Sequence, residues 1–517
     1  MNTPNTALKT PAEATSGAPE ISDLRAQREF KLSEYLRRGG ESYPNGFKPN
    51  ATTAQLSVQY ADAQTHSQQA LHDNPTPVFK LAGRLMLFRT FGKLIFARIQ
   101  DAAGQLQVSV SIDASGAEVF GLFNDCLDIG DIIGVEGPLS RTNKGELTLQ
   151  VQKFELLTKG LLPLPDKYHG MADVEQRYRQ RYLDLITSPE VRHTFVTRSR
   201  AITAIRRFLD DNGFLEVETP VLQHQAGGAS ARPFSTHHNA LDIPLNLRIA
   251  PELFLKRMLV GGFERVYELS RNFRNEGISI KHNPEFTMLE FYCAYGTRED
   301  AMSMMEDMLR HTVQAVSGNH AVPYGEHVID FAPAFQRYTM RDALKTFAGF
   351  TDADLEHVDS LEAAAKAKGV PTPSPVPSYG ELFQLCFEEL VEKQLIQPTY
   401  IMDYPIETSP LVRQIPGRPG WTQRAELYIA GREHGEFYSE LNDPIDQRSR
   451  FERQVEQAKK GNAEAMPFDH DFLQALETGM PPAFGVGLGI DRLAMLLSNA
   501  PSIRDVILFP LLRPKAE

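Results

Sequence analysis

Apolar and polar residues alternate in two neighbouring runs, residues 265–274 and 285–292, which a charged loop separates. Both runs are rich in aromatic and β-favouring residues, and Pro284 ends the loop. The pattern predicts an antiparallel hairpin. Because side chains alternate between the faces of a strand, four residues of the second run share one face: Phe286, Met288, Glu290 and Tyr292.

The predicted hairpin carries groups that suit a nucleotide bound beside a cationic ligand. Arg274 can pair with a phosphate, Phe286 can stack on a base, and Glu290 can hold an ammonium group. An ordinary hairpin with a salt-bridged outer face fits the same pattern. The hairpin taken alone leaves both interpretations open.

Short β-rich runs follow one another between about residues 78 and 157, separated by turn residues. Such spacing predicts a small five-stranded barrel of the OB type, a fold that binds single-stranded nucleic acid. Arg89, Phe96 and Gln107 could form its binding face. On composition alone, a core Phe96 beside a solvent-exposed Arg89 is the favoured interpretation.

The remaining pattern divides the chain into segments. Residues 1–22 are rich in Ala, Thr, Pro and Ser and are expected to be disordered, and residues 23–70 are expected to be a helical segment of this chain. Its first helix, which ends at Gly39-Gly40, is basic and either faces solvent or contacts RNA. Residues 75–160 form the barrel, 161–190 a linker, and 191–517 a second domain with a helical insertion at about 300–400.

Composition narrows the class of protein. At 517 residues, 42% hydrophobic and 23% charged, the chain is globular and too long for one core. The net charge of −12 argues against a protein that coats DNA or other nucleic acid nonspecifically. Three widely spaced cysteines suit a reducing compartment, and no long apolar run predicts a membrane span. We therefore expect a soluble, cytoplasmic protein.

Two further segments carry candidate chemistry. In residues 485–497 a glycine-rich strand leads into an apolar helix whose first turn holds Asp491 and Arg492, which favours binding of a phosphate. In residues 424–443 four glutamates alternate with apolar residues, which indicates a partly buried sheet able to hold cations. No P-loop, catalytic triad or cysteine nucleophile is present in the sequence, so the chemistry is positioning and charge neutralisation at a phosphate.

Three motifs together resemble those of class II aminoacyl-tRNA synthetases: FLEVETPVL, SRNFRNEGISIKHNPEFTMLEFY and GVGLGIDRLAML. The segments GGASARPFSTHHNALD, LRIAPELFLKRMLVGGFERVYEL and SELNDPIDQ are similar to lysyl-tRNA synthetases in particular. The resemblance runs from the barrel to the C-terminus. It implies an α+β protein: an OB-fold anticodon-binding domain before a catalytic antiparallel sheet flanked by helices. It also implies a homodimer that uses ATP, L-lysine, tRNA(Lys) and Mg²⁺.

The resemblance assigns roles to residues at matching positions. Arg274 and Arg492 would be catalytic, on the α- and γ-phosphates, and Glu426 and Glu433 would hold magnesium. The residues implied to bind ATP are Arg274, Glu276, His282, Asn283, Phe286 and Arg492. Those implied to bind lysine are Gly228, Glu252, Glu290, Tyr292, Tyr438 and Glu440. Arg89, Phe96 and Gln107 match anticodon-reading positions, which reverses the interpretation of Phe96 as core, and Pro220 would lie at the dimer interface.

One segment departs from the family pattern. At the position of Glu436 the family usually has an Asn that helps bind the lysine α-carboxylate, and at Phe437 it has a small residue beside the pocket. We expect a shifted loop in which Glu436 faces solvent. A pocket for a modified lysine and weakened catalysis are the alternatives.

The sequence therefore predicts ATP-dependent ligation of L-lysine to tRNA(Lys) through a lysyl-adenylate. One rival is a synthetase paralogue that activates a lysine analogue or transfers lysine to another acceptor. Retention of the anticodon barrel counts against it. The other rival is an RNA-binding module without catalysis, against which the retained Arg274, Glu426, Glu433 and Arg492 count.

Overall fold

The computed structural model describes residues 21–165, 173–374, 376–462 and 465–514. The chain divides into two compact units, Met1–Gly170 and Met171–Glu517. The tail predicted to be disordered lies almost wholly outside the described residues. Among the described residues, no helix is both long enough and apolar enough to span a bilayer.

Within its described residues, the N-terminal unit contains a seven-stranded sheet and five helices. The helices are α1 (Ile21–Arg37), α2 (Thr53–Gln59), α3 (Gln68–Asp73), α4 (Ile112–Ser115) and α5 (Ala117–Cys126). The strands are β1 (Phe79–Phe91), β2 (Leu94–Gln100), β3 (Gln105–Ser111), β4 (Ile132–Gly137), β5 (Leu139–Arg141), β6 (Leu147–Gln150) and β7 (Lys153–Thr158). They pair in the order β5-β6-β3-β2-β1-β4-β7.

The predicted barrel is confirmed, although seven strand segments replace the five expected runs. Two runs are split where the chain changes partner. Pro138, which has no N–H to give to a ladder, separates β4 from β5. The backbone N–H groups of Val151 and Gln152 reach different strands, β3 and β4, between β6 and β7.

The C-terminal unit is built on an eight-stranded sheet. Its helices are α6 (Val174–Arg179), α7 (Arg181–Thr187), α8 (Pro189–Asp211), α9 (Glu252–Val260), α10 (Arg298–Ser317), α11 (Met340–Ala348), α12 (Val358–Ala367), α13 (Tyr379–Leu390), α14 (Pro444–Lys459), α15 (His470–Gly479), α16 (Ile490–Leu497) and α17 (Ile503–Val506). Its strands are β8 (Leu215–Glu216), β9 (Leu222–Gln223), β10 (Ser235–His238), β11 (Ile243–Leu247), β12 (Arg265–Phe273), β13 (Glu285–Ala294), β14 (Ala321–Tyr324), β15 (His327–Asp330), β16 (Gln336–Thr339), β17 (Thr399–Pro405), β18 (Trp421–Ile429), β19 (Arg432–Ser439) and β20 (Ala483–Gly489).

The large sheet confirms the predicted catalytic fold. Its strand order is β16-β17-β18-β19-β20-β13-β12-β8, and only its two edge pairs are parallel. The predicted hairpin is β12–β13, in continuous register from Arg265 opposite Cys293 to Phe273 opposite Glu285. The glycine-rich strand β20 lies between this hairpin and the acidic strand pair β18–β19.

Alternation gives the central strands one apolar and one polar face. Leu289, Phe291, Val486 and Phe437 belong to the main buried core, with residues of α8, α10 and α16. The residues next to them in the sequence, among them Glu290 and Glu436, project from the opposite face. One face of the sheet thus supplies the main core, and the other carries these acidic side chains.

The segment predicted as a helical insertion, about 300–400, is mixed in structure. It holds most of α10 and all of α11–α13, but also β14, β15 and β16. Strand β16 pairs in parallel with β17 and so belongs to the edge of the large sheet. The segment predicted as a helical insertion is thus largely helical but also contributes an edge strand to the large sheet.

Candidate active site

A cavity of about 550 Å³ lies over the polar face of the large sheet. Residues of β13, β18, β19 and β20 form its floor, and residues of α9 and the first turn of α16 complete its wall. The hairpin loop before Pro284 also contributes. The three segments singled out in the sequence therefore meet at one site.

One end of the cavity holds cationic and aromatic groups. All six residues implied to bind ATP line it: Arg274, Glu276, His282, Asn283, Phe286 and Arg492. The guanidinium of Arg274 lies over the ring of Phe286, 5.1 Å from its centre. A flat cation above an aromatic ring marks a surface on which a planar base could also stack.

Arg492 is fixed in place by the strands beside it. Its Nη1 donates to the backbone carbonyl of Glu433 at 2.6 Å and lies 3.3 Å from the Glu433 carboxylate. The neighbouring Asp491 accepts hydrogen bonds from the backbone N–H of Thr287 and from Arg198, both at 2.7 Å. These bonds tie the start of α16 to β13 and orient Arg492 towards the cavity.

His282 is a neutral group within this cationic end. Burial, and then the positive charge of Arg492, lower the pKa of its imidazole below the ordinary value. Its Nδ1 lies 3.1 Å from the hydroxyl of Ser279 in the hairpin loop. A neutral ring adds hydrogen-bonding capacity without repelling the nearby arginines.

The other end of the cavity is acidic, and Glu290 is its central residue. This side chain is buried and accepts a hydrogen bond from Tyr292 at 3.0 Å. Within the described residues no cation is paired with it. Burial and the nearby Glu252 raise the pKa of Glu290 well above its ordinary value. A buried carboxylate without a protein cation favours a cationic ligand.

Two more glutamates at this end share one buried lysine. Lys256 lies 2.6 Å from Oε1 of Glu252 and 2.5 Å from Oε2 of Glu440. Burial raises the pKa of Glu440 to about 8, although Lys256 opposes this rise. Five of the six residues implied to bind lysine line the cavity, while Glu440 lies just behind its wall at Gly485.

The residues implied to hold magnesium lie on the two acidic strands. Glu433 lines the cavity, whereas Glu426 is buried behind it, bound to Arg424 and Tyr428. Burial raises the pKa of Glu426 to about 7; Arg424 lowers it, and the charges of Glu433 and Glu436 raise it again. The described residues contain no cluster of three or more metal-binding side chains. Two carboxylates that repel each other fit Mg²⁺ only when phosphate oxygens complete its shell.

Glu436 does not face bulk solvent, and the expectation of a shifted loop was wrong. It pairs with Glu426 on one side and Gly487 on the other, and its side chain lines the cavity. Arg424 lies 3.2 Å from its carboxylate, and the hydroxyl of Tyr438 donates to it. Burial alone would raise its pKa, but Arg424 and the other nearby donors lower the pKa of Glu436 below the ordinary value. It is therefore an anion in the pocket.

Phe437 also lies elsewhere than expected. Alternation turns it away from the cavity into the core, where its ring packs edge-on against Tyr400 with centres 5.2 Å apart. A β-bulge at His434 explains why Glu433 and Glu436, three residues apart, both line the cavity. The departure from the family pattern thus changes the pocket through Glu436, and changes the core through Phe437.

In the N-terminal unit, the three residues implied to read an anticodon share one face. Arg89 pairs directly with Phe96 across β1 and β2, and Gln107 pairs with Arg98 across β2 and β3. Arg89 is exposed and Phe96 is half-buried, while Ile95, Ala97 and Ile99 turn inward. The sequence did not single out Arg98, which lies on the same strand face as Phe96.

Pro220 lies on an exposed apolar part of the C-terminal unit. It is itself exposed, and three large apolar residues close to it in the sequence are at least 38% exposed: Leu215, Val221 and Leu222. An apolar surface segment of this kind is suited to burial against a partner.

Sequence reasoning missed two buried charged residues at the cavity, Lys256 and Arg424. Lys256 falls on the buried stripe of α9, four residues after Glu252, where an apolar residue would be expected. That position was the signal available in the sequence. Arg424 gave a weaker signal, because arginine on a strand is usually exposed, whereas here it is 8% exposed and shared by Glu426 and Glu436.

Comparison with known proteins adds an independent line. The family described as tRNA synthetases class II (D, K and N) matches residues 173–513, and the OB-fold nucleic acid binding domain matches residues 79–157. A lysine–tRNA ligase of Cupriavidus pinatubonensis is 49% identical over 519 residues, which cover 99% of each chain. The lysine–tRNA ligase of Bacillus subtilis is 48% identical over 496 residues, covering 96% of this chain and 98% of its own.

Proposed function

The chain belongs to the class II tRNA synthetases, among the lysine–tRNA ligases, and from this premise we propose how its cavity joins L-lysine to tRNA(Lys). The protein is an ATP-dependent aminoacyl-tRNA ligase. The observation that carries the choice of lysine is Glu290, a buried carboxylate whose described surroundings contain no paired cation. The side-chain ammonium of lysine supplies that cation.

The cationic end binds ATP. Phe286 stacks on the adenine, while Glu276, His282 and Asn283 hold the nucleotide from the hairpin loop. Arg274 lies on the α-phosphate and Arg492 on the γ-phosphate, which bends the triphosphate across the sheet. These arginines neutralise charge that builds up as the phosphate is attacked.

The acidic end binds lysine. Glu252, with the backbone around Gly228, takes the α-ammonium, and Glu290 takes the side-chain ammonium with Tyr292 and Glu440. This places the lysine carboxylate towards Arg274. A carboxylate oxygen attacks the α-phosphorus, the bond to the bridging oxygen of the β-phosphate breaks, and pyrophosphate leaves. The terminal hydroxyl of the tRNA then attacks the lysyl carbonyl and releases AMP.

Magnesium fits the same site. Glu426 and Glu433 would hold the ion, which supplies charge neutralisation between the phosphates. Burial raises the pKa of Glu426, and the negative charge of Glu433 adds to the rise, which supports a cation between the two carboxylates.

The remaining proposals concern partners. Arg89, Phe96 and Gln107 read the anticodon by stacking and hydrogen bonding on the barrel face. Pro220 lies at the interface of a homodimer. The exposed apolar residues close to it in the sequence support this proposal. A cytoplasmic location suits a protein that supplies translation.

A second candidate rests on Glu436. An anion in the amino-acid pocket favours a substrate with an extra or displaced positive charge, such as a modified lysine. Its ion pair with Arg424, however, already neutralises it, and so the unmodified amino acid remains the first choice.

ATP–pyrophosphate exchange separates these candidates. The purified protein is assayed with L-lysine, β-lysine, hydroxylysine, ornithine and arginine. We expect strong exchange with L-lysine. Stronger exchange with one of the other amino acids would establish the second candidate, and no exchange with any of them would refute amino-acid activation at this site.

A further inference from the structure

Lys256 is the only described residue paired with both Glu252 and Glu440, and no role has been given to it above. Its side chain is fully buried, and so is that of Glu440. Its ammonium lies 6.0 Å from the ring of Phe472 on α15. Full burial of a lysine costs desolvation free energy, which its ion pairs with Glu252 and Glu440 must offset.

Lys256 pairs with only one oxygen of each of its two carboxylates. It holds Oε1 of Glu252 and Oε2 of Glu440. The other oxygen of Glu252 faces Gly228, lying 3.7 Å from where a Cβ on that glycine would be, and both residues line the cavity. Each carboxylate thus gives one oxygen to the lysine and keeps one for the cavity side.

Glycine at 485 provides the opening to Glu440. A Cβ at this position would overlap Oε1 of Glu440 and the ring of Tyr292. Among the described residues neither oxygen of Glu440 has a hydrogen-bond partner, but Oε2 lies in the ion pair with Lys256, which leaves Oε1 as the unpaired oxygen. A buried acceptor without a partner, under a gap in the cavity floor, is placed to receive a donor from a ligand.

When all three acids are ionised, the charges at this end balance only with a dication. Glu252, Glu290 and Glu440 supply three negative charges, and Lys256 supplies one positive charge. The two ammonium groups of a lysine substrate supply the other two. With its α-carboxylate turned to Arg274, the bound substrate leaves the acidic end neutral.

We propose that Lys256 is a positioning residue for amino-acid selection: it holds one oxygen of Glu252 and one of Glu440, and so presents their other oxygens to the two ammonium groups of the substrate. The inference rests on the proposed function, because it concerns how the same pocket chooses lysine. Lys256 itself contacts neither the substrate nor the reacting atoms.

Several charged groups face this cluster and share in its titration. Glu290 and Tyr292 face it from β13, Glu436 and Tyr438 from β19, and Arg424 from β18. On β12, Glu268 is paired with Arg248. The charged residues of α15, Asp471 and Glu477, are exposed. Burial raises the pKa of Glu252 as well as that of Glu440, and Lys256 lowers both.

The test is ATP–pyrophosphate exchange by the full-length enzyme, with Lys256→Gln as the variant. Removing one partner of a buried ion pair predicts a KM for L-lysine raised about a hundredfold, with kcat at saturating lysine within about threefold. Because the lost cation held the acids ionised, the acid limb of kcat/KM should move to higher pH. Lys256→Arg, which keeps the charge, should restore most of the lysine affinity.

The barrel offers a matched control. Lys159 is equally buried and lies 2.7 Å and 2.9 Å from two carboxylates, those of Asp128 and Asp131. Lys159→Gln should lower the melting temperature but leave the lysine KM and its pH profile unchanged. A change of stability alone therefore cannot imitate the predicted result.

The possible outcomes distinguish failure of the proposed function from failure of the role proposed for Lys256. Wild-type enzyme without lysine-dependent exchange would refute the proposed function itself. Active wild-type enzyme and a folded Lys256→Gln variant with unchanged KM and acid limb would overturn the role of Lys256 alone. If Lys256→Gln does not fold, Lys256→Arg decides: a lysine KM within about fivefold of wild type supports the role, and one raised as far as predicted for Lys256→Gln overturns it.

Discussion

Replacing Glu290 by glutamine is the substitution that probes the acidic end most directly. The substitution keeps the shape of the side chain and removes its charge. Among the described residues Glu290 is bound only by the Tyr292 hydroxyl, at 3.0 Å, and takes part in no ion pair that the substitution would remove. The fold should therefore tolerate the change, and the effect should fall on the bound substrate.

The size of the effect follows from burial. Breaking a buried ion pair by removing one partner costs about 3–5 kcal/mol. Burial raises the pKa of Glu290, so ionising this carboxyl group offsets part of the free energy gained when lysine binds. We therefore expect the binding free energy lost in Glu290→Gln to lie near the lower end of this range. About 3 kcal/mol corresponds to a loss of roughly 100-fold in kcat/KM for L-lysine.

The assay compares L-lysine with norleucine, which lacks the side-chain ammonium, by ATP–pyrophosphate exchange. We expect Glu290→Gln to raise the lysine KM and to narrow the preference for lysine over norleucine. Glu306→Gln serves as the control, because Glu306 is also a buried carboxylate, but is paired with Arg310 and Arg337 away from the cavity. Unchanged lysine kinetics in Glu290→Gln would refute the reasoning.

Three further predictions follow from other parts of the site. Phe96→Ala should reduce tRNA charging by about tenfold or more through lost base stacking, while lysine-dependent exchange stays near wild type; equal loss of both steps would contradict the anticodon assignment. Gly485→Ala should raise the KM for lysine more than that for ATP, because its Cβ overlaps Glu440 and Tyr292, and an equal rise in both would speak against the opening at this glycine. Glu436→Asn removes a charge that raises the pKa of Glu252, so the acid limb of kcat/KM for lysine should move to lower pH; an unmoved limb would show that Glu436 does not act on this end.

Much of the fold could be predicted because the local pattern and the tertiary structure agree. The period-two alternation of residues 285–292 predicted which side chains share a face, and Phe286, Met288, Glu290 and Tyr292 all line the cavity. The glycine run at 485–489 leads into α16 as expected, since a glycine-rich strand followed by an apolar helix has few alternative structures.

The sequence alone could not predict the features of the site that depend on contacts between different segments of the chain. The bulge at His434 decides that Glu433 and Glu436 face the same way, and a bulge is set by the neighbouring strand. The burial of Glu426 depends on Arg424, two residues away on β18, and that of Glu440 depends on Lys256 of α9. A one-dimensional pattern shows that acids are present but gives neither their depth nor their counter-ions.

Attachment of lysine to tRNA tests the central claim most directly. Purified protein is incubated with ATP, magnesium, tRNA(Lys) and each amino acid in turn, and aminoacylated tRNA is measured. The account predicts lysyl-tRNA as the product, formed far faster than any other aminoacyl-tRNA. Exchange of pyrophosphate with lysine but no lysyl-tRNA would contradict it, and would instead identify a synthetase-like enzyme that passes lysine to another acceptor.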